Sequence, residues 1–169
     1  MSRQCLLDCS ANGAKWADDV HPFGFSDEMD MASRMAVGIQ SCVVLAIFMV
    51  ACVARLAKHR FFTPEDIDAD ATQGGTDRAQ VLQSMLQNTL EQTFIASLVY
   101  MAWAVVMPPR WLSVVPITAI VFAVGRVLFL VGYEKGAPAR ALGFALGFYS
   151  SSAMLVCVIG HFLHQLFTG

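Results

Sequence analysis

The sequence predicts an all-α protein, an integral membrane four-helix bundle, from its composition and from the spacing of its apolar runs. Of the 169 residues, 56% are hydrophobic and only 14% are charged, whereas a soluble domain averages about 45–50% and about 25%. The net charge of −2 offers no basic surface for nucleic acid, so no nucleic-acid partner is expected. The odd number of cysteines, five, argues against a disulfide-stabilised scaffold.

Four apolar runs account for the predicted membrane helices. The first, 35–54, contains no formal charge, and a helix of that length spans about 30 Å, the thickness of a bilayer core. The second, 93–107, is short, but its helical pattern extends back through Leu82, so this helix should enter the membrane obliquely. The third run, 111–133, is apolar except for Arg126. The fourth run covers 141–167.

The N-terminal part of the chain precedes these helices. Residues 1–34 are expected to form a polar N-terminal extension, and residues 35–169 the four-helix transmembrane domain. Cys5, Cys9 and His21 in the extension do not have the spacing of a known zinc site, so no metal site is expected. No cleavable signal peptide is expected, because the first apolar run starts too late.

Lysine and arginine residues are concentrated after the first and third predicted helices. The first of these loops contains Arg55, Lys58, Arg60 and Arg78, and the other contains Lys135 and Arg140. Cytoplasmic loops carry an excess of such residues, so the first and third loops are predicted to face the cytoplasm and both termini the opposite side. The membrane would be either a bacterial inner membrane or the endoplasmic reticulum.

Polar side chains from all four helices are predicted to gather in the cytoplasmic half of the bundle. They are Arg55, Asn88, Glu91, Arg126, Tyr133 and Arg140. A charge inside an apolar run costs about 2.5–3.5 kcal/mol on insertion scales, so such charges are usually paired and often functional. Arginine forks grip carboxylates and Glu91 could receive an ammonium group, so this cluster fits a small zwitterionic anion.

Each of these residues also has a structural interpretation. Arg55 and Arg140 could serve only as anchors at the membrane surface, and Tyr133 as an interfacial aromatic residue. Glu91 could pair with Arg126 simply to make both tolerable in the membrane. The gathering of all of these groups at one depth favours a binding site. The sequence contains no HExxH, Walker or GxGxxG motif, so a nucleotide cofactor is not supported.

Three motifs, in order along the chain, resemble those of the MAPEG family, the membrane-associated proteins of eicosanoid and glutathione metabolism. An Asn-x-x-Glu motif opens the second helix at 88–91. The third- and fourth-helix signature of that family is similar to Gly125-Arg126-Val127, Gly132-Tyr133 and Pro138-Ala139-Arg140. The first loop, from Arg55 through 62–66 and 74–75, is similar to that of the prostaglandin E synthase branch. The resemblance covers roughly 36–165.

The resemblance implies a homotrimer with glutathione between adjacent subunits at the cytoplasmic side. It assigns glutathione binding to Arg55, Asn88, Glu91, Arg126 and Tyr133. It makes Arg140 the catalytic residue, because a nearby guanidinium lowers the pKa of a thiol from its usual value of about 8.5. The implied function is a membrane glutathione-dependent transferase or peroxidase. It would act on lipophilic electrophiles or lipid hydroperoxides dissolved among the membrane lipids.

The sequence departs from the family pattern at four positions. Ser84 and Leu86 replace an arginine and a histidine that often precede the asparagine of the Asn-x-x-Glu motif. Phe129 replaces a third-helix histidine of the synthase branch, and Ala141 replaces a serine implicated in catalysis in some synthases. These losses favour an alternative, a noncatalytic membrane protein that binds a lipid and presents it to a partner. The retained arginines favour the enzyme.

Overall fold

The computed structural model of the protein confirms the predicted helical membrane fold. It describes residue 25, residues 28–67 and residues 75–168. The predicted N-terminal extension, with Cys5, Cys9 and His21, lies largely outside the described residues. Within these described residues, four helices are long and apolar enough to cross a membrane. The four long helices are α1 (Met31–Phe62), α3 (Asp77–Val106), α4 (Val114–Gly132) and α5 (Ala137–Thr168). A short helix, α2 (Pro64–Ile67), lies between α1 and α3.

Three of the long helices, α1, α3 and α5, extend beyond the apolar runs that predicted them, whereas α4 lies within its run. The helix α1 begins at Met31, four residues inside the predicted extension, because Asp30 caps it by accepting the Ser33 N–H (3.4 Å). The helix α3 begins at Asp77, where Thr76 caps it by accepting the Ala79 N–H (3.3 Å). The predicted backward extension of the second helix is therefore confirmed. Apolar runs mark only the part of a helix inside the membrane, whereas capping residues set its ends.

The four long helices surround the core in the order α1, α3, α5, α4. The pairs α1–α3 and α4–α5 make the largest contacts, and α1–α4 and α3–α5 close the bundle. The helices α3 and α4 therefore face each other across a diagonal. Since successive long helices run antiparallel, α1 and α4 end where α3 and α5 begin. We call this the polar end of the bundle, and it contains Arg55, Asn88, Tyr133 and Arg140.

Glycines allow α4 and α5 to approach closely. A Cβ atom at Gly143 would lie 2.3 Å from the backbone nitrogen of Phe129, and one at Gly132 would lie 2.5 Å from the carbonyl oxygen of Ala139. Such distances are far below van der Waals contact, so only glycine fits. Close packing of this kind takes the place of hydrophobic burial as the force that associates helices in a membrane.

A buried carboxylate joins the end of α1 to the start of α3. Asp66 is only 1% exposed. Its Oδ1 accepts the Thr76 N–H (2.6 Å), and its Oδ2 accepts the Thr76 hydroxyl (2.7 Å) and lies 3.0 Å from His59 Nε2. The hydrogen bond from the Thr76 N–H, followed by the one from its hydroxyl, lowers the pKa of Asp66. The carboxylate is therefore ionised at neutral pH, and its two oxygens contact Thr76 and His59.

We predict that Gly143→Ala lowers the free energy of unfolding in detergent by about 1–3 kcal/mol, the usual cost of overpacking. Gly160→Ala is the matched control on the same helix, because no atom lies within 4 Å of a Cβ atom there. That change should be neutral, or stabilising by about 0.5–1 kcal/mol through helix propensity. Equal effects of the two substitutions would contradict the close packing of α4 on α5.

Candidate functional site

A pocket of 880 Å³ lies at the polar end among α3, α4 and α5. The structure places four of the six predicted site residues in its lining, namely Asn88, Glu91, Tyr133 and Arg140. The rest of the lining combines apolar side chains with polar ones: Phe129, Ala137, Ala141, Phe144 and Ala145 on one hand, and Gln83, Ser84, Gln87 and Tyr149 on the other. The pocket therefore presents several polar groups beside an apolar surface, which suits a small organic ligand that carries both polar and apolar parts.

The α3 wall of the pocket presents an amide and a carboxylate. Asn88 and Glu91 are three residues apart and share one helix face. The side chain of Gln87 donates from Nε2 to Glu91 Oε1 (2.9 Å), which orients the carboxylate. Glu91 is itself exposed, so its carboxylate remains accessible to a ligand cation.

The opposite wall consists of an arginine and two aromatic rings. The chain reverses between α4 and α5 at Gly136, which has a φ of 100°, a conformation that favours glycine. This turn brings the Arg140 guanidinium over the Tyr133 ring, 4.7 Å from its centroid. The Tyr133 ring packs edge-to-face on Phe129 with 5.2 Å between centroids. The cation–π contact and the ring packing together hold Arg140 at the pocket.

Arg126 lies behind the pocket rather than in its wall. Its side chain is fully buried, and it reaches from α4 across the bundle diagonal to α3. The guanidinium donates from Nη1 to Asn88 Oδ1 (3.0 Å) and from Nη2 to Gln92 Oε1 (3.1 Å). The rings of Phe122 and Phe129 flank it, with centroids 5.5 Å and 4.5 Å from its central carbon. Arg126 therefore influences a ligand through Asn88 and through its charge.

This arrangement fixes the chemistry that Asn88 offers. Because an arginine can only donate, the Asn88 atom that faces Arg126 is the oxygen, and the amide nitrogen remains free to donate into the pocket. In the described part of the chain, no carboxylate lies within ion-pair distance of Arg126, so the alternative pairing with Glu91 is not formed. The charge of Arg126 is thus not neutralised and favours an anion in the neighbouring pocket.

Arg55 occupies a different place from the other predicted residues. It is exposed, and it lines a separate pocket of 370 Å³ between the end of α1 and the start of α3. The helix α1 packs against α3 and α4 and makes little contact with α5, so it does not border the larger pocket. Within one chain, Arg55 is therefore not brought together with Arg140.

Sequence reasoning missed Gln92 and the packing role of Phe129. Gln92 follows Asn88 by four residues, so the same helix-face argument that joined Asn88 to Glu91 would have identified it. Of the four departures from the family pattern, Ser84, Phe129 and Ala141 line the larger pocket. Leu86 instead packs on the apolar cluster between α1 and α3. In the described residues, no group of His, Cys, Asp or Glu side chains is arranged to hold a metal ion.

Comparison with known proteins agrees with the helical membrane fold. A sequence profile described as "MAPEG family" matches residues 38–160, most of the chain. An uncharacterized protein of Synechocystis sp. is 34% identical over 103 residues, which span 57% of this chain and 67% of the relative. No solved structure matches the chain. With four membrane-spanning helices and a family profile over most of its length, the chain is an integral multi-pass membrane protein that belongs to the MAPEG family.

Proposed function

We propose that the protein is a membrane glutathione-dependent transferase or peroxidase that acts on lipophilic electrophiles or lipid hydroperoxides. One observation carries this proposal. The same pocket, at one end of a membrane bundle, is lined by Arg140, Tyr133, Asn88 and Glu91. Membership of the MAPEG family supports a glutathione-related role in general.

The charges of the pocket match those of glutathione. The tripeptide has a carboxylate at each end and a single ammonium group, so it is a net anion at neutral pH. Arg140 and the buried charge of Arg126 make the pocket positive, while Glu91 offers one carboxylate to receive the ammonium group. The Asn88 amide donates a hydrogen bond to a ligand oxygen. The polar wall thus fixes the orientation of the tripeptide.

Arg140 would favour ionisation of the glutathione thiol. A guanidinium beside the sulfur stabilises the thiolate more than the thiol, because only the thiolate carries charge. The thiolate can then displace a leaving group from an electrophilic carbon and form a thioether. With a hydroperoxide, it attacks the terminal oxygen, which yields an alcohol and a sulfenic acid. A second glutathione then converts the sulfenic acid to a disulfide.

The lipophilic substrate would reach the sulfur from the bilayer along α5. Phe144 and Tyr149 line the pocket, and Phe148 lies between them in sequence. The rings of Phe144 and Phe148 are stacked with 5.5 Å between centroids, and Tyr149 packs on Phe148. These partly or largely exposed rings form a continuous apolar surface from the lipid-facing side of α5 to the pocket. Glutathione would enter from the polar end, predicted to be cytoplasmic.

The proposal includes a homotrimer, in which Arg55 of one subunit would complete the site of its neighbour. Support comes from the exposure of Arg55 and from its position at the same end of the bundle as Arg140. Polar groups at membrane depth also need burial that one four-helix subunit gives only in part. In this arrangement Arg55 would grip a glutathione carboxylate.

A second candidate function is noncatalytic binding and presentation of a lipid. It is favoured by the apolar character of the pocket at Phe129 and Ala141, where related synthases carry a histidine and a serine. The two candidates differ in a simple measurement. The enzyme turns over a chlorinated aromatic electrophile or a lipid hydroperoxide with glutathione. The binding protein holds lipid, does not bind glutathione and is inactive with both substrates.

We predict that Arg140→Ala lowers turnover of these substrates about 10²-fold or more, by analogy with the loss of a single charge-stabilising donor. Glutathione affinity should fall by less than about tenfold, because the thiolate gains more from the guanidinium than the bound thiol does. The matched control is Arg110→Ala, an exposed arginine at the opposite end of the bundle. Full turnover by the Arg140 variant would remove its catalytic assignment.

We also predict that Asn88 and Arg126 act as one unit. Asn88→Ala should weaken glutathione binding about two- to tenfold, as expected for a neutral hydrogen-bond donor. Arg126→Met, a change similar in length, should also weaken it although this side chain has no exposed surface. Because Arg126 acts partly through Asn88, the double variant should lose less glutathione-binding free energy than the sum of the losses in the two single variants. Strictly additive losses in calorimetric titrations would contradict the positioning role.

A further inference from the structure

The α5 side of the larger pocket is built from two neighbouring rows of side chains. Residues four apart share one face of a helix, and both rows follow this spacing along α5 from the polar end into the membrane. The first row consists of Arg140, Phe144 and Phe148, and the second of Ala141, Ala145 and Tyr149. With the exception of Phe148, all six residues line the pocket. The pocket thus extends from Arg140 into the apolar part of α5.

The two phenylalanines of the first row form a stacked pair, which we call the phenylalanine stack. The rings of Phe144 and Phe148 are nearly parallel, with 18° between their planes and 5.5 Å between their centroids. These side chains are 36% and 37% exposed, so the described part of the chain leaves about a third of each one uncovered. Because Phe144 lines the pocket, part of this free aromatic surface is open to a ligand there.

The second row leaves room for a flat molecule beside the phenylalanine stack. Ala141 and Ala145 each contribute only a methyl side chain to the wall. The row continues to Tyr149, whose ring packs edge-to-face on Phe148 with 70° between planes and 5.6 Å between centroids. Small side chains next to ring surfaces make a site that suits a thin, planar ligand better than a bulky one.

The phenylalanine stack begins next to the place where the glutathione sulfur would be held. Phe144 follows Arg140 by about one helical turn, which puts it about 6 Å farther along α5. A sulfur beside the Arg140 guanidinium is therefore close to a ligand that covers the Phe144 ring. The first row thus aligns the nucleophile with a substrate that stacks on the aromatic pair.

The charge distribution of phenyl rings favours one kind of aromatic ligand on this surface. The face of a phenyl ring is negative and its edge is positive, so that two such rings prefer an offset arrangement. Electron-withdrawing groups deplete the face of a ligand ring and strengthen its attraction to a phenylalanine face. The same depletion makes a carbon of the ligand ring electrophilic. An alkyl electrophile or a lipid hydroperoxide gains contact area from the stack but none of this attraction.

We propose that the phenylalanine stack makes planar, electron-poor aromatic electrophiles the preferred lipophilic substrates of the larger pocket. This inference deepens the proposed function and rests on it for the reaction. The thiolate sulfur donates an electron pair to the ring carbon that carries a leaving group such as chloride and forms the carbon–sulfur bond. Chloride then departs with the electrons of its own bond, and the thiol proton passes to water. The products are a thioether and chloride, without oxidation or reduction.

The first test compares an aromatic and an alkyl electrophile, chlorodinitrobenzene and hexyl iodide, with glutathione and the full-length protein in lipid nanodiscs. The measured quantity is the ratio of the two kcat/KM values. Phe144→Leu keeps an apolar side chain but removes the ring, so the ratio should fall about three- to tenfold in favour of the alkyl substrate. Phe144→Tyr keeps the ring and should keep the ratio. The matched control is Phe162→Leu, an exposed ring farther along the same helix and outside the lining.

The second test measures binding without glutathione and does not depend on turnover. Dinitrobenzene and dinitrocyclohexane have the same substituents, but only the first has a flat, electron-poor ring. Equilibrium dialysis against the protein in nanodiscs, with empty nanodiscs as the blank, gives the affinity for each compound. The wild type should prefer dinitrobenzene about three- to tenfold, and Phe144→Leu should remove this preference.

The outcomes separate this inference from the proposed function. A lower kcat/KM ratio and a lost binding preference in Phe144→Leu, with both retained in Phe162→Leu, support the inference. A wild type that is active with glutathione while Phe144→Leu changes neither quantity overturns the inference and leaves the proposed function standing. A wild type that is inactive but prefers dinitrobenzene through Phe144 supports the aromatic site and contradicts the proposed function. Equal binding of the two nitro compounds by the wild type overturns the selection of aromatic ligands.

Discussion

A positive charge buried among membrane helices must find its hydrogen-bond acceptors inside the bundle, and in this protein that charge is Arg126. Its guanidinium crosses the diagonal from α4 to α3 and joins two helices that otherwise contact each other little. The arrangement requires amide oxygens at Asn88 and Gln92. It also requires glycine at position 147, because a Cβ atom there would lie 2.4 Å from Gln92 Oε1. Burial of one cation thus constrains α3, α4 and α5.

The same interaction determines what the larger pocket can bind. By occupying the oxygen of Asn88, Arg126 leaves the amide N–H donors of Asn88 available at the pocket, and its own charge favours an anion there. Phe129 stacks on Arg126 and also packs on Tyr133, which in turn lies under the Arg140 guanidinium. A chain of contacts therefore runs from the bundle centre to the residue proposed to stabilise the thiolate. The Arg140 guanidinium at the end of this chain of contacts is held in place by packing. Electrostatic catalysis requires a charged group that is fixed in this way.

Hydropathy and helical spacing predicted the parts of this structure that depend on one helix at a time. They identified the four membrane helices, the backward extension of α3 and the gathering of Asn88, Arg126 and Arg140 at one end of the bundle. They did not predict that Arg126 is buried behind the pocket or that Arg55 lies in a pocket of its own. Those facts depend on how each helix is rotated and which neighbours it packs against. Glycine contacts such as Gly143 on Phe129 determine that packing, and no periodicity in a single helix encodes it.

Activation of the glutathione thiol is tested most directly by the pH titration of thiolate absorbance in the complex. The spectrum of the protein with glutathione is measured against the protein with S-methylglutathione, which cancels the absorbance of the protein cysteines. A thiol held beside Arg140 should ionise well below the value of about 8.5 that is usual for a free thiol. Bound glutathione whose thiol titrates at its free value would contradict the proposed role of the pocket, as would failure of glutathione to bind.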